Sequence, residues 1–306
     1  MTRSFLEIDD LSPAELTEVL DTAAAGKADP STIPKVLNGQ GVALLFEKPS
    51  ARTRTSSEMA VVALGGHPVY LRAEEVGIDT RETAEDVGRT LASYCSLIAA
   101  RVFMHGVLER IVASVDVPVV NLLSDRAHPC QALADLLTLR ELFGEIEGRR
   151  LVYVGDGNNV AASLAFGAAL TGLELTIASP AGYELDDVTV DRARNLGGTI
   201  NLSGDPHEAV KGADAIYTDV WTSMGDEHEA EIRREAFAGW KVDAELMAVA
   251  GPEAHFLHCL PAHRGEEVSA DVLEGPRSVV WQQAENRMHA ARALFQLVSG
   301  DAGKDA

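Results

Sequence analysis

Short apolar runs and amphipathic stretches alternate along this chain from one end to the other. Gly41–Phe46 is apolar at nearly every position and lies between Gly39 and Pro49, the pattern of a buried strand. The stretch Glu58–Leu64 that follows has helical composition and stops at Gly65-Gly66. The same alternation predicts strands over residues 68–71, 97–103 and 117–121 in the first half. In the second half it predicts strands at Leu151–Val154, Leu173–Ile177, Ala215–Tyr217, His255–Leu257 and Ser278–Trp281. A helix-rich stretch from about Gln131 to Gly148 separates the two series. Strands alternating with helices imply parallel sheets, so the expected class is α/β with two parallel-sheet domains. Ligands of such sheets lie beyond the carboxyl ends of the strands, and the polar motifs of this chain fall there. No internal repeat, low-complexity run or long linker interrupts the pattern.

Pro49-Ser50-Ala51-Arg52-Thr53-Arg54-Thr55 follows the first strand and opens a helix with Ser50 as its expected N-cap. A helix start offers free N–H donors and the positive end of its dipole. Two arginines and three hydroxyls placed there can wrap a tetrahedral dianion from several sides. A capped surface helix with two solvated arginines accounts for the same residues taken alone. His128-Pro129-Cys130-Gln131 opens a second helix, with Pro129 in its first turn and Leu133, Leu136, Leu137 and Phe143 as its apolar stripe. His128 and Gln131 can reach one small polar group together, although a simple cap accounts for an isolated His-Pro equally well. Three further motifs follow strands or open helices: Asp219-Val220-Trp221-Thr222-Ser223-Met224-Gly225, His258-Cys259-Leu260-Pro261-Ala262 and Glu285-Asn286-Arg287.

Composition narrows the classes. A chain of 306 residues that is 46% hydrophobic can bury the cores of two ordinary domains. Met1-Thr2-Arg3-Ser4 leads straight into polar sequence, so no signal segment is expected, and no apolar run has the length to span a bilayer. The expected location is the cytoplasm. Cys95, Cys130 and Cys259 are too few and too scattered for a disulfide framework or a paired-cysteine zinc site. Cys95 and Cys130 read as small packing groups. The 47 acidic residues against 26 basic ones give a net charge of −21. That excess argues against nucleic-acid partners and against anionic membranes. With lysine scarce, it also fits a cytosol of very high salt, where solubility depends on strong hydration; an ordinary acidic cytosolic protein is the plainer alternative.

Taken in order, the motifs resemble the ornithine branch of the aspartate/ornithine carbamoyltransferase family. S-x-R-T-R at Ser50, Arg101 within Ala100-Arg101-Val102, H-P-x-Q at His128, D-x-W-x-S-M-G at Asp219, H-C-L-P-A at His258 and A-E-N-R before Arg287 all appear in the family's order. The resemblance runs from about Phe5 to about Ser299. It implies two α/β domains joined by long helices with the active site in the cleft between them. Residues 1–138, completed by the C-terminal helix at about 285–300, would bind carbamoyl phosphate, and residues 149–280 would bind ornithine.

The resemblance further implies transfer of a carbamoyl group to the δ-amine of L-ornithine, giving citrulline, with no metal and no cofactor. Ser50, Ala51, Arg52, Thr53, Arg54, Arg101, His128, Gln131, Leu260 and Arg287 would hold carbamoyl phosphate. Arg101 and His128 would face the carbonyl oxygen, and the Leu260 carbonyl and Gln131 the carbamoyl –NH₂. Asn159, Asp219, Ser223 and Met224 would grip the amino-acid end of ornithine, with Cys259 beside its δ-amine. Arg101, His128 and Cys259 are thus the expected catalytic residues. Assembly as a homotrimer, or a multiple of trimers, is also implied. Two departures stand out: Ala51 replaces the usual Thr, and Gly77 stands where the family has a Gln that reaches a neighbouring subunit. Val154-Gly155-Asp156-Gly157-Asn158-Asn159-Val160 imitates a dinucleotide fingerprint, but its third glycine position is Val160 and no ribose-binding acid follows the next strand. The competing functions are a carbamoyltransferase for putrescine or acetylornithine, and a catalytically silent binding subunit.

Overall fold

The computed structural model describes residues 3–222 and 227–301. They form two compact units, one running from the N-terminus through Leu137 and resuming at Glu285, the other spanning Thr138–Ala284. Both boundaries fall inside helices, Pro129–Phe143 and Val280–Asp301. The chain therefore passes from one unit to the other as helix.

The first unit holds a four-stranded sheet of β1 (Gly41–Phe46), β2 (His67–Arg72), β3 (Leu97–Arg101) and β4 (Val119–Leu123). The strands are parallel and lie in the order β2-β1-β3-β4. Every residue of β3 is buried, which accounts for its unbroken run of apolar residues before Arg101. Ala43, Leu45, Ile98 and Ala100 pack with Val87, Leu108 and Ile111 from the covering helices. The chain moves from β1 outward to β2, then returns to lay β3 on the other flank of β1. A crevice opens at the carboxyl ends wherever the winding reverses in this way.

The second unit holds β5 (Arg150–Val154), β6 (Glu174–Ala178), β7 (Thr199–Ser203), β8 (Ala215–Thr218) and β9 (His255–His258). These strands are also parallel, in the order β7-β6-β5-β8-β9. Val152, Val154, Ile216 and Phe256 pack with Phe237, Trp240 and Met247, and the Tyr153 and Tyr217 rings stack at 5.6 Å. Here the winding reverses between β5 and β8.

Two expectations change. Ser278–Trp281 is not a strand: Ser278 makes only an isolated bridge to Phe256, and the last helix begins at Val280, five residues before Glu285. A short apolar run has no periodicity that separates strand from buried helix start. Conversely, β7 carries only two apolar side chains, Ile200 and the exposed Leu202, as befits an edge strand, and so lacks the apolar run that marks the other strands. Among the described residues, no helix is long and apolar enough to cross a membrane.

Candidate active site

In the first unit, β1 leads through Pro49 to the helix Ala51–Ala63, and the Ser50 hydroxyl caps it by accepting from the Thr53 N–H at 3.3 Å. The first-turn N–H groups of such a helix have no carbonyl partner within it and favour an anion. Thr53 is buried on this first turn; its Oγ1 accepts from Arg287 Nη2 at 2.8 Å and more distantly from Arg101 Nη1 at 3.4 Å. Arg101 is the last residue of β3, beside Phe46 at the end of β1. Three distant stretches of sequence thus converge where the sheet reverses.

Gln131 completes the group. Its Nε2 donates to Asp135 at 2.7 Å, which leaves Oε1 to accept from Arg287 Nη1. Asp135 is fully buried and carries no motif of its own, although its i+4 position from Gln131 on the Pro129–Phe143 helix is a usable signal. His128, after β4, is buried in the same neighbourhood. Its imidazole pKa lies well below the ordinary 6.5, first because burial penalises the charged ring, then because Arg287, Arg101 and Arg52 repel it. His128 is therefore a neutral hydrogen-bonding group near pH 7, not a further cation. Arg54 is engaged elsewhere: it donates to Glu58 at 2.9 Å and stacks on the Tyr70 ring at 3.6 Å. Ala51, first in the helix, is exposed. Cys130 donates to the Asn121 carbonyl at 3.4 Å, and burial pushes its thiol up to about 12, so it stays protonated.

The second unit collects its polar groups at the ends of β5, β8 and β9. The turn after β5 needs Gly157, since a Cβ there would lie 2.2 Å from the Leu185 nitrogen. Asn158 then caps the helix Asn159–Thr171, its Oδ1 accepting from Val160 N at 2.9 Å and Ala161 N at 3.3 Å. Its Nδ2 donates to Asp219 Oδ2 at 3.0 Å. Asp219 is buried after β8, and its other oxygen accepts from its neighbour Val220 N and from Cys259 Sγ, both at 2.8 Å. Asp219 and Cys259, assigned through the resemblance to the two ends of ornithine, are in direct contact, and Asn158, unassigned from sequence, is the amide that holds the acid. Asn159 is half-buried at the first position of its helix. Ser223 and Met224 lie outside the described residues.

Leu260 follows Cys259 in the left-handed region, at φ 59°, and its N–H donates to His258 Nδ1 at 2.9 Å. Asp219, His258 and Cys259 lie close enough to share a metal ion. His258, however, uses Nδ1 on Leu260 and Nε2 on Glu267 at 3.0 Å, so its ring has no lone pair left for one.

Family models match most of the chain. Residues 3–141 match the aspartate/ornithine carbamoyltransferase carbamoyl-P binding domain, and residues 147–298 the corresponding Asp/Orn binding domain. The chain belongs to the aspartate/ornithine carbamoyltransferase family. Within that family it is similar to ornithine carbamoyltransferase of Acidothermus cellulolyticus, at 50% identity over 99% of this chain and 98% of that one. The solved structure of ornithine carbamoyltransferase from Pyrococcus furiosus is 46% identical, covers 98% of this chain and 97% of its own, and superposes with a TM-score of 0.93. That from Thermus thermophilus is 47% identical over 97% of this chain and 99% of its own, with a TM-score of 0.89.

Proposed function

We propose that the protein transfers the carbamoyl group of carbamoyl phosphate to the δ-amine of L-ornithine, yielding L-citrulline and phosphate. The observation that carries this reading is the cluster of Arg101, Arg287, Thr53 and neutral His128 beside a helix start, which suits a phosphate next to a polarised carbonyl. The names of its relatives support ornithine over putrescine or acetylornithine as the acceptor.

Ser50, Arg52 and Thr53 hold the phosphate with charge-assisted and helix-start hydrogen bonds, and stabilise it as it leaves. Arg54 joins them by leaving Glu58 when the anion arrives. Arg101, His128 and Arg287 donate to the carbonyl oxygen, where negative charge grows as the amine adds. A neutral His128 can give that hydrogen bond without pulling the phosphate charge away from the arginines. Gln131, its amide oriented by Asp135, and the Leu260 carbonyl accept from the carbamoyl –NH₂. Asp219 pairs with the α-amino group of ornithine, with Asn159, Ser223 and Met224 completing the grip. The neutral δ-amine attacks the carbonyl carbon, the carbon–oxygen bond to phosphate breaks, and the amine proton leaves by way of the Cys259 region. Cytoplasmic location, homotrimeric assembly and adaptation to high salt belong to the same proposal. They rest on the resemblance and on the net charge of −21.

The test is a steady-state assay of purified protein with carbamoyl phosphate and ornithine, putrescine or acetylornithine in parallel. Citrulline formation from ornithine at the highest kcat/KM is expected. Faster carbamoylation of either alternative amine overturns the assignment.

A further inference from the structure

The turn that presents Cys259 and Leu260 is closed by a residue that neither the motifs nor the proposed mechanism uses. Glu267 is fully buried, nine residues beyond His258. One of its oxygens, Oε1, meets both ends of the turn: His258 Nε2 at 3.0 Å on the near side and the His263 N–H at 2.6 Å on the far side. The stretch Cys259–Ala262 is therefore bracketed by a single carboxylate oxygen.

The hydrogen-bond chain also fixes the state of the His258 ring. The Leu260 N–H can only donate, so His258 Nδ1 must be the acceptor and carry a lone pair. The proton of the neutral ring then sits on Nε2, where it points at Glu267. The His258 backbone is held separately: its N–H donates to Gln283 Oε1 at 2.9 Å and keeps the strand end in place. Leu260 is a non-glycine residue at positive φ, a conformation that costs about 1–3 kcal/mol and persists only where its surroundings enforce it. The ring of His258 supplies that enforcement, and Glu267 holds the ring in place by accepting its Nε2 proton.

We infer that Glu267 is a positioning residue for the carbamoyl transfer, acting through His258 to hold the Cys259-Leu260 turn in its working shape. This deepens the function proposed above and rests on it for the identity of the reaction. Glu267 does not touch the reacting atoms. Its second oxygen, Oε2, is buried without a hydrogen-bond partner, so what the site requires of residue 267 is the one bracketing acceptor. A glutamine in the same place can still provide that acceptor, and an alanine cannot.

The experiment combines spectroscopy and kinetics on the intact protein. In protein labelled with ¹⁵N-histidine, with His258 assigned by its loss in His258→Asn, the Nε2–H tautomer is expected. It should persist in Glu267→Gln, whereas in Glu267→Ala the Nε2–H signal should lose the shift that its hydrogen bond to Glu267 produces. Glu267→Ala should lower kcat about a hundredfold, the effect of a displacement of about 1 Å in a reacting geometry. Its carbamoyl phosphate affinity by calorimetry should fall by no more than about tenfold, the loss of the one Leu260 hydrogen bond, and its cooperative melt should be retained. Glu267→Gln should recover kcat to within about tenfold of wild type. A native His258 that is charged or carries its proton on Nδ1 overturns the inference without any variant. So does a folded Glu267→Ala protein with wild-type kcat, or a folded Glu267→Gln protein as slow as expected for alanine. If Glu267→Ala fails to fold, the native spectrum and the glutamine variant decide. Wild-type protein that shows the expected tautomer but makes no citrulline refutes the substrate assignment and leaves the bracketing role of Glu267 standing.

Discussion

In the N-terminal unit the reversal of sheet winding between β1 and β3 is lined with guanidinium groups. In the C-terminal unit the equivalent reversal, between β5 and β8, is lined with a carboxylate, an amide and a thiol. The backbones are alike: parallel strands, helices opening from short turns, polar residues at the carboxyl ends. What differs is the sign of the charge. Arg101 and Arg287 meet on Thr53, with Arg52 near enough to His128 to depress its pKa, in a chain whose net charge is −21. Asp219 stands at the other reversal with its oxygens taken by Asn158, Cys259 and Val220. Topology supplies a crevice, and the residues at the strand ends make one positive and the other negative, which is what the proposed pairing of an anion with an ammonium group needs.

The strongest way to break this contrast is to remove charge from each side separately. Arg101→Ala is expected to lower kcat by about a hundredfold to a thousandfold, the usual cost of losing a donor aimed at developing negative charge. Carbamoyl phosphate affinity should fall with it, measured by calorimetry without ornithine. Undiminished affinity and turnover would remove Arg101 from the anion site. Asp219→Asn should do the reverse, costing about 1.5–3 kcal/mol, or roughly ten- to 150-fold in kcat/KM for ornithine. Carbamoyl phosphate should still bind the Asp219→Asn protein normally; an equal loss for both ligands would mean that Asp219 serves the fold and not the amino acid.

The two sides are unequally legible in the sequence. Ser50 and His128 are readable as helix starts, which a plain cap explains equally well taken alone, and Arg101 and Arg287 stand out only through the order of the family's motifs. The strands β1, β3 to β6, β8 and β9 are readable close to their observed positions, since largely buried parallel strands are mostly apolar, and β2, a half-exposed edge strand, is readable from its Val69-Tyr70-Leu71 run. Supporting residues are not readable. Asp135 orients Gln131, Asn158 holds Asp219 and Glu267 brackets a turn, yet each is a common polar residue whose role exists only after the chain has folded. The exposed edge strand β7 escapes because it has little to bury, and Ser278–Trp281 misleads because a buried helix start is as apolar as a strand.

Asn158 offers a finer cut within the C-terminal unit. Asn158→Ala removes both an N-cap and the tether on Asp219, so a stability loss of about 1–2 kcal/mol is expected together with a higher KM for ornithine. Asn159→Ala leaves the cap in place and should raise that KM with little change in the melting temperature. A normal melt in Asn158→Ala would show that the cap contributes nothing to stability. A normal KM in the same variant would show that Asp219 holds its position unaided.

Acid sensitivity gives the smallest effect and tests the neutral state of His128. In the folded protein its pKa lies well below 6.5 through burial and nearby arginines, whereas in the unfolded chain it returns to about 6.5. Below pH 6.5 the unfolded chain therefore binds the proton that the folded protein refuses, and stability falls as pH falls. Above pH 6.5 both states are neutral and the group contributes no slope. Between pH 6.5 and 5.5 this residue should account for about 1 kcal/mol, read by chemical denaturation at the two pH values. His105, also shifted down by burial, adds its own slope in the same window. His128→Asn should therefore flatten the acid dependence without abolishing it. An undiminished slope in that variant would mean that His128 is not held neutral, and the anion site would then have to be described with a fourth cation instead of a neutral donor.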